Sequence, residues 1–280
     1  MILLYGLAMN LIKKELNKIV KLALEEDVGK GDITSSLTIP RDKKGSFAFV
    51  ARETLVVCGI PILETIFSKT LYKKFCKDGD IIKPGQKIFS ISGNVRYILC
   101  RERVALNFIQ HLSGISSLTK NFVNQTAGTK AKILDTRKTT PGLRLLEKYA
   151  VFIGGGTNHR MRLDDGILIK DNHIKAAGGI KSAVYSAKKA STKTIIVECD
   201  TISQVREAVE AGADRVLLDN MSEKLMQKVV EDFSGKVLFE ASGGISLKNV
   251  RAVAKTGVDF ISVGAITHSA KWMDIGLDEI

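Results

Sequence analysis

The sequence lacks the features that several common classes of functional site require. Its four cysteines (Cys58, Cys76, Cys100 and Cys199) form no CxxC pair, so reduced thiols are a simpler interpretation than a zinc site or a disulfide framework. It contains no GxGxxG after a predicted strand, no P-loop, no GxSxG and no HExxH. Nicotinamide binding and nucleophilic catalysis therefore have no support.

Long apolar runs are also absent. The first residues, MILLYGLAMN, are apolar over only about nine positions, and no positive charge or small-residue cleavage site accompanies them. They fit neither a signal peptide nor a membrane span. Because Met9 could equally be a start, residues 1–9 are a candidate disordered extension. We expect a cytoplasmic protein with no membrane partner.

Positive charge is in excess, with 42 Lys and Arg against 30 Asp and Glu, which gives a formal net charge of +12. Such a chain attracts anions of any kind, including nucleic acid, acidic lipid and phosphorylated metabolites. The lysines are spread along the chain, and no basic tail carries interleaved aromatic residues. This counts against a nucleic-acid partner.

One stretch, residues 134–175, concentrates the basic residues between core-type apolar runs. Rigidly placed Arg and Lys suit a small polyanion, because guanidinium groups fork onto carboxylate and phosphate oxygens. A solvated basic face is the alternative, and two features count against it: the glycine run 154–156 and the position of Lys170 at the end of an apolar run. The basic residues are Arg137, Lys138, Arg144, Lys148, His159, Arg160, Arg162, Lys170 and His173.

The first part of the chain predicts an α/β domain. Residues 10–27 have the apolar spacing of an amphipathic helix, and residues 46–51 and 55–58 have strand character. A helix follows from Pro61, and then two short strands flank the turn at Pro84-Gly85. This order favours a small α/β sandwich of the hammerhead kind, without the lysine hairpin of a true lipoyl domain.

Several single residues in this part have local interpretations. Asp32 is expected to cap the following segment, although it could also contact a ligand. One or two helices cover residues 96–125, with Gly114 breaking or crowding the packing midway. Arg103, by sequence alone, is a surface charge. We place the domain boundary at 115/116, giving domains 10–115 and 116–280, with the last residues as candidates to pack back on the first domain.

After Gly128 the chain alternates between short runs of Ile, Val and Leu and helical segments, as βα repeats do. The order of the units favours a closed barrel over an open doubly wound sheet. The strands are predicted at 131–134, 166–169, 194–197, 214–218, 236–239 and 259–263. The helices are predicted at about 142–151, 174–190, 202–211, 222–231 and 246–256.

Polar residues follow these runs, and in a βα barrel the strand carboxyl ends surround one site. Cations there suit carboxylates and phosphates, while two or three acids suit hydroxyl groups or Mg²⁺. Glycine loops after the last two strands, each expected to lead into a helix, suit a phosphate. The residues that this places in one mouth are Thr136, Arg137, Lys138, Lys170, Glu198, Asp219, Glu240, Ser242, Gly243, Gly264 and His268.

Long motifs in this sequence resemble those of the quinolinate phosphoribosyltransferase family. The resemblance covers residues from about 20 to 278 and rests on EEDVGKGDIT, RERVALNFIQHLSGIS, LDTRKTTPGLR, GGGTNHRMRLDDGILIKDNHI, VECD, LLDN, ASGGIS and DFISVGAITHSA. It implies transfer of the phosphoribosyl group of 5-phosphoribosyl 1-pyrophosphate to quinolinate, with release of CO2 and pyrophosphate. The fold that it implies is an N-terminal α/β sandwich followed by an incomplete α/β barrel.

The resemblance also implies roles for individual residues. It assigns the quinolinate carboxylates to Arg137, His159, Arg160 and Lys170, and the junction with the sugar to Lys138. It counts Thr136 among the substrate-binding residues, and it assigns the ribose hydroxyls and Mg²⁺ to Glu198 and Asp219. It assigns the 5-phosphate to Ser242, Gly243, Gly264 and His268. Arg103 then reaches into the site of a second subunit, in a homodimer or a dimer-based hexamer.

Some interpretations stay open at this point. Glu240 has only a support role, and Arg162 departs from the family pattern and is an extra surface charge. Arg144 and Lys148 are expected to be surface or packing charges. Molybdenum-operon paralogues share the TRKT core, although the intact NHR and LIKDNH segments favour the quinolinate enzyme. A polyanion binder without catalysis is a further alternative, and acids in the mouth argue against it.

Overall fold

The computed structural model describes residues 2–280, with side chains from residue 15 onward. Residue 1 and the side chains of residues 2–9 lie outside this described part, and the expected disordered extension over residues 1–9 stays a prediction. The chain divides into two compact units, each described below by itself. Unit 1 comprises Met1–Leu118, Thr140–Gly154 and Ala270–Ile280, and unit 2 comprises Thr119–Thr139 and Gly155–Ser269.

Besides a shift of the boundary itself from 115/116 to 118/119, this division differs from the predicted one in two respects. Residues 140–154, which follow the first strand of unit 2, belong to unit 1, and so do the last eleven positions from Ala270. The second assignment agrees with the expected return of the last residues. The first could not be read from the chain, because the helix there has the same apolar spacing as a helix of a barrel.

Unit 1 is built around an antiparallel sheet with the strand order β12-β1-β5-β3, beside the two-stranded pair β2-β4. Its helices are α1 (Ile2–Val28), α2 (Ile33–Thr38), α3 (Ile60–Ile66), α5 (Arg144–Ile153) and the first part of α4 (Val95–Gln125). Its strands are β1 (Lys44–Ala51), β2 (Leu55–Val56), β3 (Leu71–Lys74), β4 (Ile81–Ile82), β5 (Lys87–Asn94) and β12 (Ile275–Glu279).

The sheet of unit 1 covers an aromatic core. Phe49 on β1 is fully buried, and its ring centroid lies 5.9 Å from that of Phe67 and 6.3 Å from that of Phe89. Burying three such rings stabilises the sheet by several kcal/mol through removal of apolar surface from water. Strand β12 pairs with β1 from Phe47 to Ala51, so the last strand of the chain completes the sheet that begins near its start.

Helix α4 is continuous from Val95 to Gln125, so the predicted break at Gly114 is wrong and the predicted crowding is right. A Cβ on Gly114 would lie 2.0 Å from the carbonyl oxygen of Lys271. Glycine is therefore needed for close backbone approach, not for a bend. At the start of α2, Asp32 accepts a hydrogen bond of 2.9 Å from the backbone N–H of Ser35, which confirms local capping.

Unit 2 is a parallel sheet with the order β6-β11-β10-β9-β8-β7, in which the first strand pairs with the last and β6 and β7 are not joined. This is an incomplete barrel, as predicted. Its strands are β6 (Lys132–Leu134), β7 (Ile167–Ile169), β8 (Ile195–Cys199), β9 (Arg215–Asp219), β10 (Leu238–Ser242) and β11 (Phe260–Ser262). Its helices are α6 (Asp171–Ala177), α7 (Ile180–Ala190), α8 (Ile202–Ala211), α9 (Glu223–Phe233), α10 (Val250–Lys255) and α11 (Ala265–His268).

Two predicted helices of unit 2 need correction. The helix expected over 174–190 is two helices, because Gly178 and Gly179 adopt φ of 78° and 133° and end α6. The helix expected from residue 246 begins only at Val250. The glycine loop 243–244 therefore does not lead directly into a helix.

Two expectations, on membrane-spanning helices and on the cysteines, concern the whole chain rather than either unit. No helix within the described residues is long and apolar enough to cross a membrane. The four cysteines are free thiols, with Cys58 and Cys199 buried.

Candidate active site

A cavity of about 700 Å³ opens where the strands of unit 2 end. Twelve of the thirteen residues predicted to bind substrate line it; Arg103 is not among them and is exposed on α4. The twelve are Thr136, Arg137, Lys138, His159, Arg160, Lys170, Glu198, Asp219, Ser242, Gly243, Gly264 and His268. Lining residues that were not predicted to bind substrate include Leu168, Leu217, Asn220, Gly244, Ile245, Ser262, Val263 and Ala265.

The loop after β6 presents Arg137 and Lys138. The backbone N–H of Lys138 donates to Thr136 Oγ1 at 3.0 Å, and the hydroxyl of Thr267 donates to the Lys138 carbonyl at 2.8 Å. These bonds fix the backbone of a loop whose Lys138 side chain remains exposed. A Cβ on Gly264 would lie 3.3 Å from Lys138 Cδ, so the absence of a side chain there leaves room for the lysine.

A buried carboxylate fixes the backbone of the segment 158–160. Asp135 is fully buried, and it accepts hydrogen bonds from Asn158 Nδ2 at 2.6 Å and from the backbone N–H of His159 at 2.8 Å. Arg160 donates from Nη1 to the carbonyl oxygen of Gly166 at 2.9 Å. The chain therefore presents Arg160 on a rigid support rather than on a free loop.

Arg160 lies in the field of a second guanidinium group. Partial burial and the like charge of Arg137 lower the pKa of Arg160 below its ordinary value. The like charges of the two arginines repel each other, and a bound dianion would relieve the repulsion. This side of the cavity is suited to a ligand with two carboxylates.

Lys170, which follows β7, and Glu198, on the neighbouring strand β8, form an ion pair with 2.5 Å between Nζ and Oε2. The lysine side chain is 46% exposed and the glutamate 17% exposed, so the pair is screened by water and stabilises the fold little. The pair matters for ligand binding. An anion that binds Lys170 would replace Glu198 as its partner and leave Glu198 available to another ligand.

Asn220 is a structural residue of the site that the sequence did not indicate. It adopts φ of 53°, which is unusual for a residue other than glycine. Its side-chain amide donates to Asp219 Oδ2 at 2.8 Å and its backbone N–H to the Ser242 carbonyl at 2.9 Å. A Cβ on Gly243, whose φ is 91°, would lie 2.1 Å from Asn220 Oδ1. Asp219 and Gly243 are thus positioned by one residue between them.

The glycine loops at Gly243 and Gly264 do not lead into long helices, so the helix dipole contributes less to phosphate binding than the sequence predicted. Helix α10 begins at Val250, and α11 after Gly264 has only four residues. Any phosphate here would be bound by loop N–H groups and side chains rather than by a long helix dipole. His268 is exposed, and its Nδ1 lies 2.6 Å from Ser269 Oγ.

Glu240 does not lie at the rim, contrary to its predicted place at a strand end. It is in the middle of β10 and fully buried, so it forms part of the floor of the cavity. Ser262 Oγ donates to Oε1 at 2.5 Å, and Arg215 Nη1 donates to Oε2 at 2.9 Å. Burial raises the pKa of Glu240, but the contacts with His159, Ser262 and Arg215 outweigh it and hold the pKa below its ordinary value.

The acids of the cavity fit a metal that arrives with its substrate. Within the described residues, no group of three or more His, Cys, Asp or Glu side chains could hold a metal ion. Glu198 and Asp219 are two separate carboxylates on one cavity. Mg²⁺ commonly uses one or two carboxylates together with substrate phosphates, and this donor set matches that mode.

The fold and the cavity together define a βα-barrel enzyme for small, multiply anionic ligands. Comparison with known proteins gives the particular family. The sequence model for the quinolinate phosphoribosyl transferase C-terminal domain matches residues 115–278. The model for the N-terminal domain of the same family matches residues 32–113.

Individual relatives agree with the family models. A probable carboxylating nicotinate-nucleotide pyrophosphorylase of Methanocaldococcus jannaschii is 42% identical over 93% of this chain and 96% of its own. The crystal structure of nicotinate-nucleotide pyrophosphorylase from Ehrlichia chaffeensis is 49% identical with a TM-score of 0.91, covering 94% of this chain and 98% of that one. The structure from Francisella tularensis has a TM-score of 0.92 and 41% identity, covering 96% and 97%. The chain belongs to the quinolinate phosphoribosyltransferase family.

Proposed function

We propose that this enzyme transfers the phosphoribosyl group of 5-phosphoribosyl 1-pyrophosphate to quinolinate, giving nicotinate mononucleotide, CO2 and pyrophosphate. Such a reaction belongs to NAD biosynthesis and makes the chain a pentosyltransferase. The observation that carries the proposal is that one cavity is lined both by the cations Arg137, Arg160 and Lys170 and by carboxylates and glycine loops.

The cationic side suits quinolinate. Two guanidinium groups and an ammonium group match two carboxylates on adjacent ring positions, because forked hydrogen bonds fix both charge and orientation. His159 completes this side of the cavity. Lys138, on the exposed part of the loop after β6, would stand between quinolinate and the sugar.

The other side suits phosphoribosyl pyrophosphate. Glu198 and Asp219 would accept hydrogen bonds from the ribose hydroxyls, and Thr136 lines the same cavity. Ser242, Gly243, Gly264 and His268 would hold the 5-phosphate through a hydroxyl, loop N–H groups and an imidazole.

The chemistry needs electrostatic stabilisation more than a nucleophile. As pyrophosphate leaves, the anomeric carbon gains cationic character, and nearby carboxylates such as Glu198 and Asp219 stabilise that charge. Mg²⁺, which Glu198 and Asp219 would hold directly or through substrate and water, would neutralise charge on the departing pyrophosphate. Lys138 adds a second positive charge on the same side.

Carbon dioxide is lost after the glycosidic bond has formed. The quinolinate nitrogen attacks the anomeric carbon and becomes quaternary, so the ring accepts the electron pair of the adjacent C–CO2⁻ bond. That bond breaks, CO2 departs, and a proton from solvent replaces it on the ring. Arg137 and Arg160 assist by holding the remaining carboxylate while the charge is redistributed.

The assembly and location are further parts of the proposal. Arg103 is an exposed arginine on α4, and we place it in the site of the second subunit of a homodimer, which could further assemble into a hexamer. A cytoplasmic location is supported by the four free thiols. Cell fractionation with antibody detection tests the location.

An assay with quinolinate, phosphoribosyl pyrophosphate and Mg²⁺ tests the function. Nicotinate mononucleotide and CO2 should form in equal amounts, and chelation of Mg²⁺ should stop both. Product formation from nicotinate but not quinolinate would contradict the proposal, as would salt-sensitive DNA or heparin binding without any product.

A further inference from the structure

The ring of His159 has a protein neighbour at each nitrogen. Nδ1 accepts a hydrogen bond from the backbone N–H of Arg160, with 2.7 Å between the two nitrogens. Nε2 lies 3.4 Å from Glu240 Oε1, a close approach of charge that does not meet hydrogen-bond geometry. The side chain is only 8% exposed, so little of the ring faces solvent.

These two contacts decide which nitrogen carries the proton. A proton on Nδ1 would face the N–H of Arg160 at 2.7 Å, and two donors at that distance repel each other. The ring proton therefore belongs on Nε2, where it points toward a carboxylate. A neutral Nε2–H ring satisfies both neighbours, whereas the doubly protonated ring satisfies only Glu240.

Glu240 has a positive partner in Arg215 and a neutral donor in Ser262, so it does not require a charged histidine. Its Oε2 accepts from Arg215 Nη1 at 2.9 Å, and its Oε1 accepts from Ser262 Oγ at 2.5 Å. The guanidinium group of Arg215 is itself fixed over the ring of Phe260, 3.8 Å from its centroid. The carboxylate is thus a rigid acceptor beneath the histidine.

We propose that Glu240, fixed by Arg215 and Ser262, is a positioning residue that holds His159 as the neutral Nε2–H tautomer. His159 then orients the backbone of Arg160 through Nδ1 and contributes no positive charge to the quinolinate side. Asp135 also accepts a hydrogen bond from the backbone N–H of His159, so this residue is held both at its backbone and at its ring. This inference rests on the proposed function for its kinetic consequence but not for the tautomer itself.

The tautomer can be measured without any activity. The chain has four histidines, so a ¹⁵N-histidine-labelled protein gives few side-chain signals, and loss of one set in His159→Gln assigns it. At neutral pH the unliganded wild-type protein should show His159 with Nε2 protonated and Nδ1 unprotonated. A doubly protonated ring, or a proton on Nδ1, would overturn the proposal.

Glu240→Gln tests the positioning role. The amide keeps the size of the side chain, but it removes the charge and places a donor against Arg215 or His159. The Nε2–H signal should weaken or give way to mixed tautomers. KM for quinolinate should rise about tenfold or more, as loss of a hydrogen bond to a charged group predicts. KM for phosphoribosyl pyrophosphate should change much less.

Glu231→Gln is the matched control, because it makes the same chemical change on the exposed face of α9. It should leave the histidine signals and both KM values unchanged. A folded Glu240→Gln protein with wild-type histidine signals and KM values, or with both KM values raised equally, would contradict the proposal. If Glu240→Gln does not fold, the wild-type spectrum decides. A protein with the predicted tautomer but no product would refute the proposed function alone.

Discussion

At the scale of single residues, basic side chains within one short stretch of sequence have different environments. Lys148 is fully buried, although the sequence left open whether it was a surface or a packing charge. Arg162 has a side chain that is 74% exposed and pairs with exposed Asp164. Arg160, two positions away, lies against the carbonyl of Gly166 on the cavity. Charge in the sequence shows the number of cations but not their partners.

The proposed quinolinate side predicts a selective loss of affinity. Arg137→Ala and Lys170→Ala should each weaken quinolinate binding by about tenfold to a hundredfold, because each removes a charge-assisted hydrogen bond to a carboxylate. Binding of phosphoribosyl pyrophosphate should change far less. Arg162→Ala removes an exposed cation and should change neither. Calorimetric titration of each ligand measures this, and equal weakening of both ligands would refute the assignment.

Two adjacent glycines predict a measurable steric difference. Gly243 and Gly244 both have positive φ, at 91° and 61°, but only Gly243 has an atom, Asn220 Oδ1, where a Cβ would lie. Gly244→Ala should cost about 1 kcal/mol of stability through backbone strain alone. Gly243→Ala adds the clash and should also displace Asn220, so KM for phosphoribosyl pyrophosphate should rise. Thermal unfolding and steady-state kinetics compare the two, and equal effects would contradict this explanation.

At the scale of elements, helices α4 and α5 are joined by a buried polar contact. Glu147 on α5 is fully buried; it lies 2.9 Å from His111 Nε2 on α4 and accepts from the backbone N–H of Thr140 at 3.1 Å. A buried carboxylate with two partners is costly to remove because the partners lose their acceptor. The contact therefore matters for the integrity of unit 1.

Glu147→Ala should lower the free energy of unfolding by about 3 kcal/mol, since the partly buried imidazole of His111 and the N–H of Thr140 both lose their acceptor. Glu210→Ala is the control, because Glu210 pairs with Lys181 at 3.0 Å while its side chain is 54% exposed. That exposed pair should contribute no more than about 0.5 kcal/mol. Urea unfolding followed by circular dichroism measures both variants. Similar small losses would show that the buried contact is not stabilising.

The strands of unit 2 were predictable from the sequence, whereas parts of unit 1 were not. Buried parallel strands are continuous apolar runs, and all six predicted runs overlap the observed strands β6 to β11. Strand β3 was missed because every residue from Leu71 to Lys74 is exposed and no apolar alternation exists there. Strand β12 was missed because its pairing partner, β1, lies more than two hundred residues away.

At the scale of the whole molecule, the proposed use of Arg103 by a neighbouring subunit predicts complementation. Arg103→Ala and Lys138→Ala should each be nearly inactive alone. In an equal mixture assembled together, half the dimers are mixed, and each mixed dimer has one site with both native residues. About a quarter of wild-type activity should therefore return.

A second pair of variants controls for nonspecific recovery. Lys138 and Glu198 line the same cavity of one chain, so a mixture of Lys138→Ala and Glu198→Ala contains no native site. Its activity should not rise. Complementation should thus occur only when one partner carries Arg103→Ala. Absence of recovery in that pair, with mixed dimers demonstrated by mass spectrometry, would place Arg103 outside the neighbouring site.

The sequence by itself determined the strands of unit 2, the local caps such as Asp32, and the motifs that mark the family. These depend on the spacing of apolar residues and on neighbours within a few positions, which the linear chain contains. Only the tertiary structure decided which charges meet. Glu240 can be buried in the floor of the cavity because its partners Arg215 and Ser262 lie on the neighbouring strands. These partners are 25 and 22 residues away in the chain. Parallel strands bring such residues together, and the free energy of a buried charge depends on those partners.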